Sequence, residues 1–139
     1  MKRYRIIAAA ACGILAGSFA SAADLRPAYN ISGIWRSSDP GTAQIFQNGS
    51  EVKSIYINKG FSHYFSGQYT SPDLIKGTQY RHNRSNGCFT TMALTFRVLS
   101  ENELTFEWTG NDSNCDLREG QKGSGKSSRD RKLESETWY

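Results

Sequence analysis

From Thr91 to Thr109 apolar and polar residues alternate with a period of two. Met92, Leu94, Phe96 and Val98 fall on one face and Thr91, Ala93, Thr95 and Arg97 on the other. Leu104, Phe106 and Trp108 then alternate with Thr105, Glu107 and Thr109. Successive side chains of a strand point to opposite faces, so this spacing builds a sheet with one dry and one wet side. Ser100-Glu101-Asn102 is a short polar connection, and the whole stretch reads as an antiparallel hairpin. No apolar stripe at helical spacing runs for a useful length after residue 22, which excludes a helical bundle.

The rest of the chain repeats the theme. Strands are expected at Gly33–Arg36, Thr42–Gln47, Val52–Asn58, Phe61–Tyr69 and Leu74–His82. Asn48-Gly49, Lys59-Gly60 and Ser71-Pro72-Asp73 are the turns between them. Residues 119–132 hold Gly, Ser, Lys and Arg but nothing apolar, and read as a flexible polar segment. Leu133–Tyr139 is either a last strand or a frayed tail. The expected architecture is an all-β antiparallel meander of seven to eight strands, closing as a small barrel or folding as a β-sandwich.

The N-terminus bounds the compartment. Lys2, Arg3 and Arg5 precede an apolar run from Ile6 to about Phe19, and Ala20-Ser21-Ala22 has the small-residue form of a cleavage site. That is the pattern of a signal peptide over residues 1–22, and the mature chain is expected to be one domain, 23–139, secreted or periplasmic. Losing those three basic residues takes the 17 Lys+Arg to 14 against 13 Asp+Glu, a mature net charge of +1. The basic excess that would suggest a nucleic acid partner therefore leaves with the leader. No second apolar stretch approaches the roughly 18 residues of a membrane span. Cys12 goes with the leader, and its surroundings fit a lipid-anchor site less well than the cleavage at Ala22. Cys88 and Cys115 remain, an even pair expected to form one disulfide in an oxidising compartment.

Asn30-Ile31-Ser32-Gly33-Ile34-Trp35 resembles the G-x-W first strand of the calycin barrels, the group of lipocalins and avidins. The likeness rests on Gly33 and Trp35, followed by an antiparallel meander. It implies a barrel rather than a sandwich, a Trp packed across the barrel base, and a cavity for a small ligand. The chain also resembles small secreted bacterial proteins, which implies no particular activity.

Chemistry-bearing motifs are few. His63 and His82 are the only histidines, and no H-x-H or H-E-x-x-H spacing supports a metal site. His63 shares an alternating set with Phe61 and Phe65, which places it on a strand face beside aromatics. Gln79 to Cys88 is the richest polar cluster: Tyr80, Arg81, His82 and Arg84 offer guanidinium, imidazole and phenol groups suited to a carboxylate, phosphate or sugar. The carboxylates sit at turns or on wet faces, and no nucleophile elbow, P-loop or dinucleotide fingerprint is present. The expectation is therefore a binding protein without enzymatic activity or cofactor. In one form Trp35, Tyr56, Phe65, Phe96 and Trp108 line or fill a barrel that holds a small apolar or amphipathic molecule. In the other, surface loops engage a secreted or envelope protein, as an interaction factor or inhibitor.

Overall fold

The computed structural model describes residues 25–137 except 39, 113, 114 and 116. The expected leader at 1–22 and the terminal Trp138-Tyr139 pair lie outside the described residues. Eight antiparallel strands follow in order: β1 (Gly33–Ser37), β2 (Gly41–Asn48), β3 (Glu51–Asn58), β4 (Phe61–Ser71), β5 (Leu74–Asn83), β6 (Phe89–Ser100), β7 (Glu103–Gly110) and β8 (Lys122–Arg129). A short helix, α1 (Arg131–Thr137), comes last. Each strand pairs with the next, and β8 returns to β1 through Trp35–Arg129, Arg36–Ser128 and Ser37–Ser127, which closes the sheet. Closure pairs both would-be edges, and it decides the fold for the barrel over the sandwich.

The period-two pattern becomes an inside and an outside. Met92, Leu94, Phe96 and Val98 of β6 are all buried, while Ala93, Arg97 and Leu99 are exposed. The packed core fills one end, where Ile31, Trp35, Val52, Phe65, Ile75 and Leu104 are buried. Fully burying an aliphatic or aromatic side chain is worth about 1.5–3 kcal/mol, so this end anchors the barrel.

The chain before β1 seals that end. Ala28 N–H donates to Pro72 O of the β4–β5 turn, and Ile31 N–H donates to the Gln47 Oε1 that also accepts from the Tyr69 hydroxyl. Burial holds the Tyr69 phenol up at about 12. Trp35 lies fully buried across the base and donates its indole N–H to Ile31 O. Its register partner Arg129 is held by Glu134 of α1 and donates to the carbonyls of Asn30 and Ser32.

The C-terminal third departs from the sequence expectation. Residues 119–132, expected to be a flexible segment, contain β8, and the described part of the tail read as a strand or frayed end, Leu133–Thr137, belongs to α1 instead. The inward positions of β8 are Gly123, Gly125, Ser127 and Arg129. Trp108 and Phe106 of β7 lie directly over the two glycines, where an added Cβ would come within 2.3 and 2.5 Å of the rings. The strand needs no apolar residues because its neighbour's rings cover its inner face. At the start of α1, Asp130 Oδ1 accepts the Leu133 N–H as an N-cap. That bond, and then Arg36, hold its carboxyl below the usual aspartate range.

The candidate site in the barrel lumen

The opposite end of the barrel is not filled. A cavity of about 450 Å³ lies there, within the range of small-molecule sites. Its two sides differ in chemistry. On β6 and β7 the wall is apolar: Met92, Leu94, Phe96, Leu104, Phe106 and Trp108. On β3, β4 and β5 it is polar: Tyr56, Asn58, His63, Gln79 and Arg81, with Phe61 beside them. Gln121 lines the cavity and is exposed, so the space reaches solvent there. No Asp or Glu is among the described lining residues.

Strand register builds the polar wall. Tyr56 pairs with His63, and His63 with Arg81, so three inward side chains form one row across β3, β4 and β5. The Tyr56 ring meets His63 edge-on at 5.2 Å between centroids. The Arg81 guanidinium carbon sits 3.7 Å from the centroid of Phe61, within cation–π range.

His63 is the most unusual group in the row. Gln79 Nε2 donates to its Nδ1 at 2.8 Å, which makes Nδ1 an acceptor and leaves the proton of the neutral ring on Nε2. That Nε2 is buried without a hydrogen-bond partner. Buried polar atoms are nearly always paired, so this nitrogen is an exception in the barrel interior. Burial, and then the Arg81 charge, push the imidazole down to about 4, so it is neutral at physiological pH.

The loops of this end are tied together. Cys88, before β6, and Cys115, after β7, form a disulfide with Cα atoms 6.0 Å apart. Asp112 accepts from the N–H and hydroxyl of Thr91. Two residues past the disulfide, Leu117 is buried and contributes to the cavity wall.

The residues singled out in the sequence divide into three groups. Trp35, Tyr56, Phe96, Arg81 and Trp108 all line the cavity. Phe65 lies in the packed core, edge-on to Phe96 at 4.9 Å. Tyr80, His82 and Arg84 are outside: Tyr80 is exposed, His82 stacks on Phe89 at 4.4 Å, and Arg84 donates to the carbonyls of Asn58 and Phe61 and to the Ser62 hydroxyl. Alternation along β5 separates Arg81 from its neighbours, and Arg84 acts as a clamp on the β3–β4 turn. Phe61, Leu117 and Gln121 also line the cavity without a sequence motif that marks them, and alternation along the strand places His63 beside aromatics but not in a ligand site. For Leu117 the available signal was one apolar residue in a polar loop just after a cysteine. Comparison with protein-family models, curated proteins and solved structures finds no match.

Proposed function

We propose that this chain is a secreted or periplasmic binding protein, without enzymatic activity, whose barrel holds a small amphipathic molecule. The observation that carries the reading is the two-sided cavity, apolar on β6 and β7 and donor-rich on β3 to β5. Pockets that bind small molecules combine a mostly apolar lining with a few placed polar groups. The leader-like N-terminus and the single disulfide support an extracytoplasmic compartment. The G-x-W strand at Gly33 and Trp35 supports a calycin-like relationship.

Native mass spectrometry on the unreduced protein, isolated from its own extracytoplasmic fraction, tests this. The expected result is a stoichiometric extra mass that is lost on denaturation and absent from a Leu94→Trp variant, whose larger ring occupies the lumen. A bare mass in the wild type, with no small molecule from the same fraction shifting its melting temperature, would overturn the reading. The second reading, a factor that engages another envelope protein, is favoured by one observation: Ile55, Ile57, Tyr64, Tyr80 and Phe89 are exposed on the outer face of β3 to β6.

A further inference from the structure

We propose that the outer wall of β3 to β6 docks on a bilayer surface that contains anionic phospholipid, with Ile55, Ile57 and Phe89 entering the headgroup boundary. The inference concerns the outside of the barrel and does not depend on what the lumen holds. It commits the exposed face of these strands to lipid rather than to a protein. Three observations carry it.

The first is a contiguous apolar patch. Strand register sets Ile55, Tyr64 and Tyr80 in one outward row across β3, β4 and β5. The next row toward the cavity end holds Ile57, Ser62, His82 and Phe89. Ile57 is 52% and Phe89 57% exposed. Exposed apolar residues scattered singly are ordinary, but two adjoining rows of them mark a surface that meets another apolar phase.

The second is charge. From Val52 to Ser100 the basic residues are Lys53, Lys59, Lys76, Arg81, Arg84 and Arg97, and the one acid, Asp73, is paired with Arg97. Lys59 and Arg84 stand at the cavity end of the patch, where Arg84 donates to the carbonyls of Asn58 and Gly60. At the other end Lys53 lies in the row after Tyr64, and Lys76 in the row after that. Cations therefore bracket the patch along the strands. Two carboxylates border it: Glu51 shares the row of Lys76, and Asp112 accepts from Thr91 beyond Tyr80. Four cations against two acids leave the face positive.

The third is shape. The outer wall of a closed barrel is convex and gives no groove for a small molecule or an extended peptide. A fluid bilayer conforms to such a wall. Tyrosine rings suit the headgroup level, aliphatic side chains the acyl boundary beneath it, and Lys and Arg the phosphates.

The test is co-sedimentation of the unreduced protein with vesicles of phosphatidylcholine alone, and of phosphatidylcholine mixed with phosphatidylglycerol. At low salt the mixed vesicles are expected to bind about tenfold or more tighter, and high salt should shrink the difference by screening. Ile57→Ser combined with Phe89→Ser should weaken binding to the mixed vesicles by about tenfold or more, through lost apolar contact. Lys53→Gln combined with Lys59→Gln should bring it toward the phosphatidylcholine level. Lys122 and Lys126 are exposed on β8, across the barrel from β4, and replacing both by Gln should leave binding unchanged. All six positions are exposed, and melting temperatures near that of the wild type show that the variants are folded.

Equal binding to the two kinds of vesicle would overturn the assignment to anionic lipid. Binding that survives both patch variants, or that falls as far with the β8 pair, would refute its placement on this wall. Binding to neither vesicle sinks the proposal, and a dimer in sedimentation that the Ile57 and Phe89 changes abolish would then make a second copy the occupant. The cavity reading stands or falls separately, because no residue changed in these variants lines the lumen.

Discussion

His63 shows how much one side chain's setting determines its chemistry. Inside the barrel, burial and the charge of Arg81 bring its imidazole down to about 4 from an ordinary 6.5. Between those values the unfolded chain takes up a proton that the folded chain refuses. The contribution to stability is therefore complete above pH 6.5 and is lost as the pH falls through the window to about 4. Urea unfolding across that range should show stability dropping with acidification in the wild type, and a shallower drop in His63→Gln. Equal slopes in the two proteins would mean that His63 is not the group responsible. In the sequence this histidine was legible as a strand residue among aromatics. Its missing partner was not, because that depends on what β3 and β5 place beside it.

At the scale of the element, β8 shows why hydrophobic pattern is an incomplete signal for strands. Lys122 to Arg129 contains no apolar side chain, yet it pairs with β7 from Lys122 to Ser128 and with β1 from Ser127 to Arg129, and Trp108 and Phe106 cover its glycines. The pattern that defines this strand is written in β7. The β4–β5 pair uses the same device: Gly67 and Gly77 are register partners beneath the Phe65 ring. A Cβ at Gly77 would lie 2.2 Å from the Ser66 carbonyl oxygen, and backbone does not give way as a flexible side chain does. Gly77→Ala should therefore cost roughly 1–3 kcal/mol, as overpacking does. Gly60→Ala, where nothing lies within 4 Å, should change stability by less than about 0.5 kcal/mol. Denaturant midpoints of the two variants check this, and equal midpoints would refute the crowding argument.

For the whole molecule, the two ends of the barrel are held by different means. The closed end has a packed core, the chain before β1 and the Arg129–Glu134 pair. The cavity end has less to pack and relies on the Cys88–Cys115 bond across 27 residues of sequence. In the chain-entropy account such a loop stabilises by about 3.5 kcal/mol. Reduction, or replacing both cysteines by Ser, should lower the melting temperature by roughly 10–20 °C for a domain of this size. It should also weaken ligand binding, since Leu117 reaches the cavity from the loop that the bond secures. An unchanged melting temperature on reduction, measured by calorimetry, would remove the disulfide from the account of stability.

The sheet, the turns and the disulfide were all readable along the chain. They depend on period-two alternation, on Asn-Gly and Ser-Pro-Asp turn chemistry and on a cysteine pair, all of which are local or nearly so. The strand at Lys122–Arg129, the separation of Arg81 from Tyr80 and His82, and the unfilled upper lumen depended on closure of the barrel. Closure brings β8 against β1 and gives every strand an inside, so it alone determines which aromatics pack solid, as Phe65 does, and which are left facing a space. Residues far apart in sequence share that space only after the sheet has turned through a full circle.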